Sequence, residues 1–182
     1  ELNVAVGASL LGLRTGVISK LPSHDIGSFM KGKIRSFGVS DDFFMYDDSP
    51  SARVGIYYYE NGAYPRKPKV IYDRMNSSFF SLNIDEIPKE VYTASKCFHT
   101  TGITLALSPQ IRETTIEMIK RFKEAGTLVS FDVNFRGNLW SGDEARECIL
   151  KILPYVDIFF CSEDTARLTF LKTGTAKEMM KS

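Results

Sequence analysis

The stretch Asp132-Val133-Asn134-Phe135-Arg136 puts an acid, an amide and a guanidinium directly after a run of apolar residues. A planar guanidinium presents a fork of donors that matches a phosphate or a carboxylate, and an amide beside it adds a donor and an acceptor. The chemistry on offer is therefore recognition of an anion. The plainer alternative is a strand end with a structural Asp and a solvated Arg. A second group lies in two strand-like runs, residues 53–60 and 69–75. Side chains alternate along a strand, so Tyr72 and Arg74 share a face with Val70, and Tyr57 lies on the face opposite Ile56 and Tyr58. Phenols and a guanidinium on apolar stems suit a polyhydroxy acid. Here the alternative is cross-strand pairing on an exposed sheet. The histidines, His24 and His99, have no metal spacing and no Ser or Cys partner that suggests a hydrolase triad. His24 is expected exposed in a loop, and His99 packed. Neither a Gly-x-Gly-x-x-Gly fingerprint nor a Walker A sequence occurs.

These residues need elements to hold them. Residues 2–8 open a helix-like pattern, 15–19 read as a short strand, and 25–37 as an amphipathic helix closed by Gly38 in a C′ position. The two strand-like runs flank a loop with Asn61-Gly62, Pro65 and Pro68, which predicts a hairpin. Alternation then resumes. Residues 96–99 read as a strand. Ser108-Pro109 caps a helix that stops at Gly126. A strand over 127–131 follows, then a helix capped by Ser141 or Asp143. Residues 156–161, nearly all apolar, read as a parallel strand buried on both faces. Ser162-Glu163-Asp164 starts a helix, and 175–181 form a last one. This order predicts an α/β fold with a mostly parallel sheet. Residues 1–40 and 81–182 form the α/β core, and 41–80 a β-hairpin lid inserted into it. Ligands of open parallel sheets bind beyond the carboxyl ends of the strands. Residues 100–104, 132–136 and 162–164 should therefore line one rim.

Composition narrows the function classes. A chain of 182 residues with 43% hydrophobic residues can bury a sizeable core. A net charge of +1 gives no electrostatic case for nucleic acid or an anionic membrane. No apolar run reaches the roughly 20 residues that span a bilayer. Three widely spaced cysteines exclude a disulfide framework and show no zinc spacing. Cys97 and Cys161, each in an apolar run, are expected as buried free thiols, which fits a reducing, cytoplasmic setting.

Taken in order, the motifs resemble the ribokinase-like family of carbohydrate kinases, and within it the 2-keto-3-deoxygluconate kinases. Glu1-Leu2-Asn3-Val4-Ala5 is similar to the stretch after that family's Gly-Gly-Ala start. Thr15 to Lys20 with Asp25-Ile26-Gly27 resembles its next strand and helix. Gly55-Ile56-Tyr57 and Tyr72-Asp73-Arg74 resemble its two lid strands. Gly102-Ile103-Thr104-Leu105-Ala106-Leu107-Ser108 is close to its Gly-Ile-Thr-x-Ala-Leu-Ser. Asp132 to Arg136 with Asn138-Leu139-Trp140 resembles its Asp-Val-Asn-Tyr-Arg-x-x-Leu-Trp. The resemblance runs along nearly the whole chain.

It implies a doubly wound sheet with helices on both faces and a small β-lid that often joins two subunits. It also implies ATP and magnesium as cofactors. Asn3, Tyr57, Tyr72, Arg74, Ile103 and Arg136 would contact a sugar acid, and Asn134, Arg136, Ser162 and Glu163 would lie towards the nucleotide. No residue is assigned to a metal. The family's Gly-rich turn and its proton-accepting Asp have no counterpart here, nor have its opening strand and Gly-Gly. The resemblance thus implies a fragment, inactive by itself, of a kinase for 2-keto-3-deoxygluconate. Two departures stand out: Thr165 where the family often has an acid, and Gly137 where it usually has Pro. The alternatives are a kinase for 5-keto-2-deoxygluconate or fructose, and a non-catalytic sugar-binding or dimerisation module. Asp132-Val-Asn134 speaks against the first of these, Arg74 against fructose.

Overall fold

A computed structural model describes residues 1–181. They form two compact units, Leu2–Leu82 and a second made of Glu1 with the residues from Asn83 onward.

The first unit opens with helix α1 (Leu2–Leu10). Strand β1 (Thr15–Gly16) pairs in parallel with β3 (Val39–Ser40), and β2 (Ser19–Pro22) with β4 (Phe44–Asp47). The single strand expected over 15–19 is thus two. Val17 N–H still donates to Ser40 O, but Ser19 N–H already donates to Phe43 O, so the chain changes partner at Ile18. Between β2 and β3 runs α2 (Asp25–Arg35), with Asp25 in its first turn and Lys33 and Arg35 in its last, each charge favourable to the helix dipole. His24, exposed before the helix as expected, has a task there as its N-cap, the ring Nδ1 accepting from Ile26 N–H. The helix stops two residues before the sequence pattern suggests. Ser36 is the C-cap, and Gly38 takes the left-handed conformation (φ 75°) one residue later than C′. Leu21, Ile34, Val39 and Phe44 make the core, with Leu2, Ala5, Val6, Val17 and Met30 against it. Strands β5 (Ile56–Glu60) and β6 (Lys69–Asp73) form the expected antiparallel hairpin, in register Tyr57↔Tyr72. A short 3₁₀ turn, Ser78–Ser81, follows.

The second unit begins with the turn Ile84–Glu86 and helix α3 (Val91–Ala94). Strand β7 (Cys97–Thr101), helices α4 (Gly102–Ala106) and α5 (Pro109–Glu124), and strand β8 (Leu128–Asp132) come next. Helix α6 (Gly142–Ile152), strand β9 (Ile158–Phe160), and helices α7 (Glu163–Phe170) and α8 (Ala176–Met179) complete it. The three strands are parallel, in the order β7-β8-β9. Helix signals in the sequence are realised closely. Ser108 caps α5 with Pro109 at its first position, Ser141 and Glu144 form a reciprocal capping box, and Gly126 is left-handed (φ 80°) after α5. Phe98 stacks on Phe122 of α5 at 4.2 Å, which fixes the covered face of the sheet.

Two burial expectations fail here. Strand β9 is not buried on both faces: Ile158, Phe159 and Phe160 are 41%, 40% and 53% exposed. It is the edge strand, paired with β8 alone among the described residues. Cys97 is exposed and Cys161 half-exposed, whereas Cys148, on the inner side of α6, is buried. Cys97 alternates with Phe98, so it points away from the face that α5 covers.

Candidate functional site

Each unit gathers part of the candidate set. In the second unit, the carboxyl ends of β7, β8 and β9 lie at one edge because the strands are parallel and in step (Thr101↔Asp132↔Phe160). The segments expected to line a rim therefore do leave the sheet side by side. Asn134 holds a left-handed backbone (φ 36°), its N–H donating to Asp132 Oδ1 at 3.1 Å. Such a conformation costs a non-glycine residue energy and turns the chain sharply out of the strand. Val133, fully buried, donates its N–H to Phe160 O and so ties the exit of β8 to β9. The chain then bends back until Trp140 is buried, with the Arg112 guanidinium 5.5 Å from its ring. Arg136, at the tip, is exposed.

Gly102 sets how closely α4 approaches this turn. A Cβ there would lie 2.1 Å from Val133 O, so only glycine fits. Ile103, the next residue, is half-buried on α4. The Glu1 carboxylate also sits here. Its Oε1 accepts from Thr101 N–H (3.1 Å), Thr101 Oγ1 (2.8 Å) and Thr104 Oγ1 (2.5 Å). Ser162 is the N-cap of α7: its hydroxyl accepts from Thr165 N–H and meets Thr165 Oγ1 at 2.9 Å. Thr165, where an acid was the family pattern, is thus part of a cap. Glu163 is exposed and pairs with Arg167 at 3.4 Å.

His99 is half-buried in mid-strand, and its Nδ1 meets Ser130 Oγ on β8 at 2.9 Å. The packing expected of His99 holds, but a Ser partner is present after all. Loss of hydration holds the imidazole below its ordinary pKa. Glu1 and Asp132 act in the opposite sense.

In the first unit, the hairpin brings Tyr57, Tyr72 and Arg74 onto one face. The two rings lie 6.4 Å apart, and the Arg74 guanidinium lies 4.7 Å from the Tyr72 ring. Both rings are more than half exposed. Asn3 lies exposed in the second position of α1. Sequence reading missed the residue with most contacts in this region, Arg53. Its guanidinium reaches Asp73 and Met75, and no local spacing announces that. Among the described residues no group of three or more His, Cys, Asp or Glu side chains converges as a metal site. Among the described residues no helix is long and apolar enough to cross a membrane.

Comparison with known proteins decides the family, for residues 1–182 match the pfkB family of carbohydrate kinases. The chain belongs to that family. A similar relative is the 2-dehydro-3-deoxygalactonokinase of Haloferax volcanii, 39% identical over 176 residues, which are 97% of this chain and 54% of the relative. Among solved structures, the 2-dehydro-3-deoxygluconokinase of Thermotoga maritima superposes with a TM-score of 0.88 at 30% identity, over 95% of this chain and 52% of that one. A sugar kinase of Pyrococcus horikoshii, solved in complex with ATP, gives 0.81 at 25% identity, over 93% and 55%. The α/β fold is therefore that of ribokinase-like kinases, and this pfkB chain spans about half the length of the relatives it matches.

Proposed function

We propose that this chain is part of an ATP-dependent kinase that phosphorylates a primary hydroxyl of a 2-keto-3-deoxy sugar acid, 2-keto-3-deoxygluconate or its galactonate epimer. The observation that carries the reading is the hairpin face. Tyr57 and Tyr72 offer two exposed phenols on one face, able to hydrogen-bond sugar hydroxyls. Arg74 offers a guanidinium that rests on a ring and has no carboxylate partner among the described residues. A donor fork held by an aromatic face and left without an anion suits an acid better than a neutral sugar. The names of the similar kinases point to the same substrate class.

The rim of the three-stranded sheet is proposed for the nucleotide, with Asn134 and Arg136 as donors to anionic oxygens. Ser162 and Glu163 are less available, the first engaged as a cap and the second paired with Arg167. The residues present thus fit phosphate recognition in part. They offer no cage for magnesium, which such chemistry brings with the nucleotide to spread the charge of the transferring phosphoryl group. In the whole protein the sheet is proposed to be doubly wound, with helices on both faces and the hairpin as a lid.

The test is steady-state kinetics of the full-length protein with 2-keto-3-deoxygluconate and with fructose. A charge-assisted bidentate pair contributes about 1.5–3 kcal/mol, or roughly one to two decades of affinity. The acid should be preferred by that margin, and Arg74→Ala should erase the preference. Equal use of fructose and the acid would sink the reading.

A further inference from the structure

Arg74 lies just beyond the last paired residue of β6, so no ladder hydrogen bond fixes it. Its neighbours do. The Arg53 guanidinium grips Asp73 bidentately, Nη1 to Oδ1 at 3.0 Å and Nη2 to Oδ2 at 2.8 Å. The same group donates to two main-chain oxygens, Asp73 O at 3.2 Å and Met75 O at 3.0 Å. One rigid fork therefore holds the chain on both sides of Arg74. Arg53 is itself anchored: its N–H donates to Ser78 Oγ (3.2 Å) and its carbonyl accepts from Ser78 N–H (2.8 Å), and Ser78 is buried. Against Arg74 from the other strand lies Gly55, where a Cβ would stand 3.1 Å from Arg74 Cβ. Just after it, Asn76 turns the chain with a left-handed backbone (φ 55°), and Ser77 N–H returns to Arg74 O at 3.3 Å.

We infer that Arg53 is a positioning residue that sets the direction of Arg74 and thereby the preference for an anionic sugar. The inference rests on the reading that Arg74 meets the substrate carboxylate. The physical case is one of shape. Lys at 53 would keep the charge, but its point-like ammonium cannot bind a carboxylate bidentately and two carbonyls at once. The Arg53–Asp73 pair is partly exposed, with side chains 34% and 49% accessible, so screening leaves it little weight in global stability. Its contribution is geometric, because a donor displaced by about 1 Å loses most of a bidentate contact.

The test uses the full-length protein, 2-keto-3-deoxygluconate, and its neutral methyl ester as the probe without charge. Arg53→Lys should raise KM for the acid about tenfold with kcat within about twofold, as a misplaced binding group does. The ester's KM and the thermal midpoint should stay near their original values. Asp73→Asn, which keeps one acceptor, should act in the same direction and stands in if the first variant folds poorly. Arg74→Ala separates the two ideas. If it leaves the acid's KM unchanged, the carboxylate reading is wrong. If it raises that KM while both other variants leave it alone, only the positioning role is lost. A parallel rise for acid and ester with a lowered midpoint would make Arg53 a structural staple and overturn the inference.

Discussion

At the scale of single residues, His99 shows how a partner unseen in the sequence changes a group's behaviour. It faces Ser130 at 2.9 Å, half-buried, with the Glu1 and Asp132 carboxylates acting on it. Desolvation dominates and lowers the folded-state pKa beneath the ordinary value of about 6.5. The sign follows from proton counts. As pH falls below about 6.5 the unfolded chain takes up a proton that the folded chain refuses, so stability drops until the folded pKa is passed. The lowered carboxylates Asp41, Asp47, Asp157, Glu144, Glu147 and Glu178 act in a lower window, because their stabilisation is present above the unfolded values of 3.8 and 4.5. Urea unfolding at pH 7.5 and pH 5.5 should therefore show a loss at the lower pH that shrinks in His99→Gln. An undiminished loss in that variant would assign the pH dependence elsewhere.

At the scale of elements, close approach at glycine sets how α4 meets the turn after β8. The carbonyl of Val133 would lie 2.1 Å from a Cβ at Gly102, and it is backbone that cannot easily yield. Gly102→Ala should cost on the order of 1–3 kcal/mol, the usual range for overpacking. Gly32 in α2 is the counter-example, with nothing within 4 Å of a Cβ, and Gly32→Ala should stabilise by roughly 0.5–1 kcal/mol. Denaturant midpoints moving in the same direction for both would contradict this argument. Local chemistry made much of this architecture legible: the caps Ser108, Ser141 and Ser162, the stop at Gly126 and the hairpin all follow from short-range hydrogen bonding and turn preference. Alternation likewise placed Tyr72 and Arg74 on one face, while Tyr57 joins them through the strand register, Tyr57↔Tyr72. The rest depends on contacts distant in the chain. The split at Ile18 follows a change of partner strand, and β4 exists because β2 pairs with it. Arg53 is tied to residues 20 and 22 positions away, and Glu1 to Thr101 and Thr104 across 100 and 103. No window of sequence contains both members of such pairs.

At the scale of the whole molecule, the sheet of the second unit is covered unequally. Phe98 and Val129 lie on the face that α5 covers, Phe98 stacked on Phe122. On the other face Leu128, Ile158 and Phe160 are 50%, 41% and 53% exposed, and β9 presents an unpaired outer edge among the described residues. An open strand edge beside exposed apolar side chains is a template for pairing with another chain. A net charge of +1 supplies little repulsion against that. The 182-residue chain by itself should therefore self-associate, with a sedimentation coefficient that rises with concentration in the micromolar range. Ile158→Lys and Phe160→Lys place charge on that face at positions already more than two-fifths open, so they should cost little fold stability. Together they should return the chain towards a single slow species. Association through the exposed hairpin predicts the opposite pattern: these variants would sediment like the parent, and a charge at Tyr58 or Ile71, 57% and 52% exposed, would disperse the assembly instead. A parent chain that stays a single slow species at every concentration would remove the argument for both surfaces.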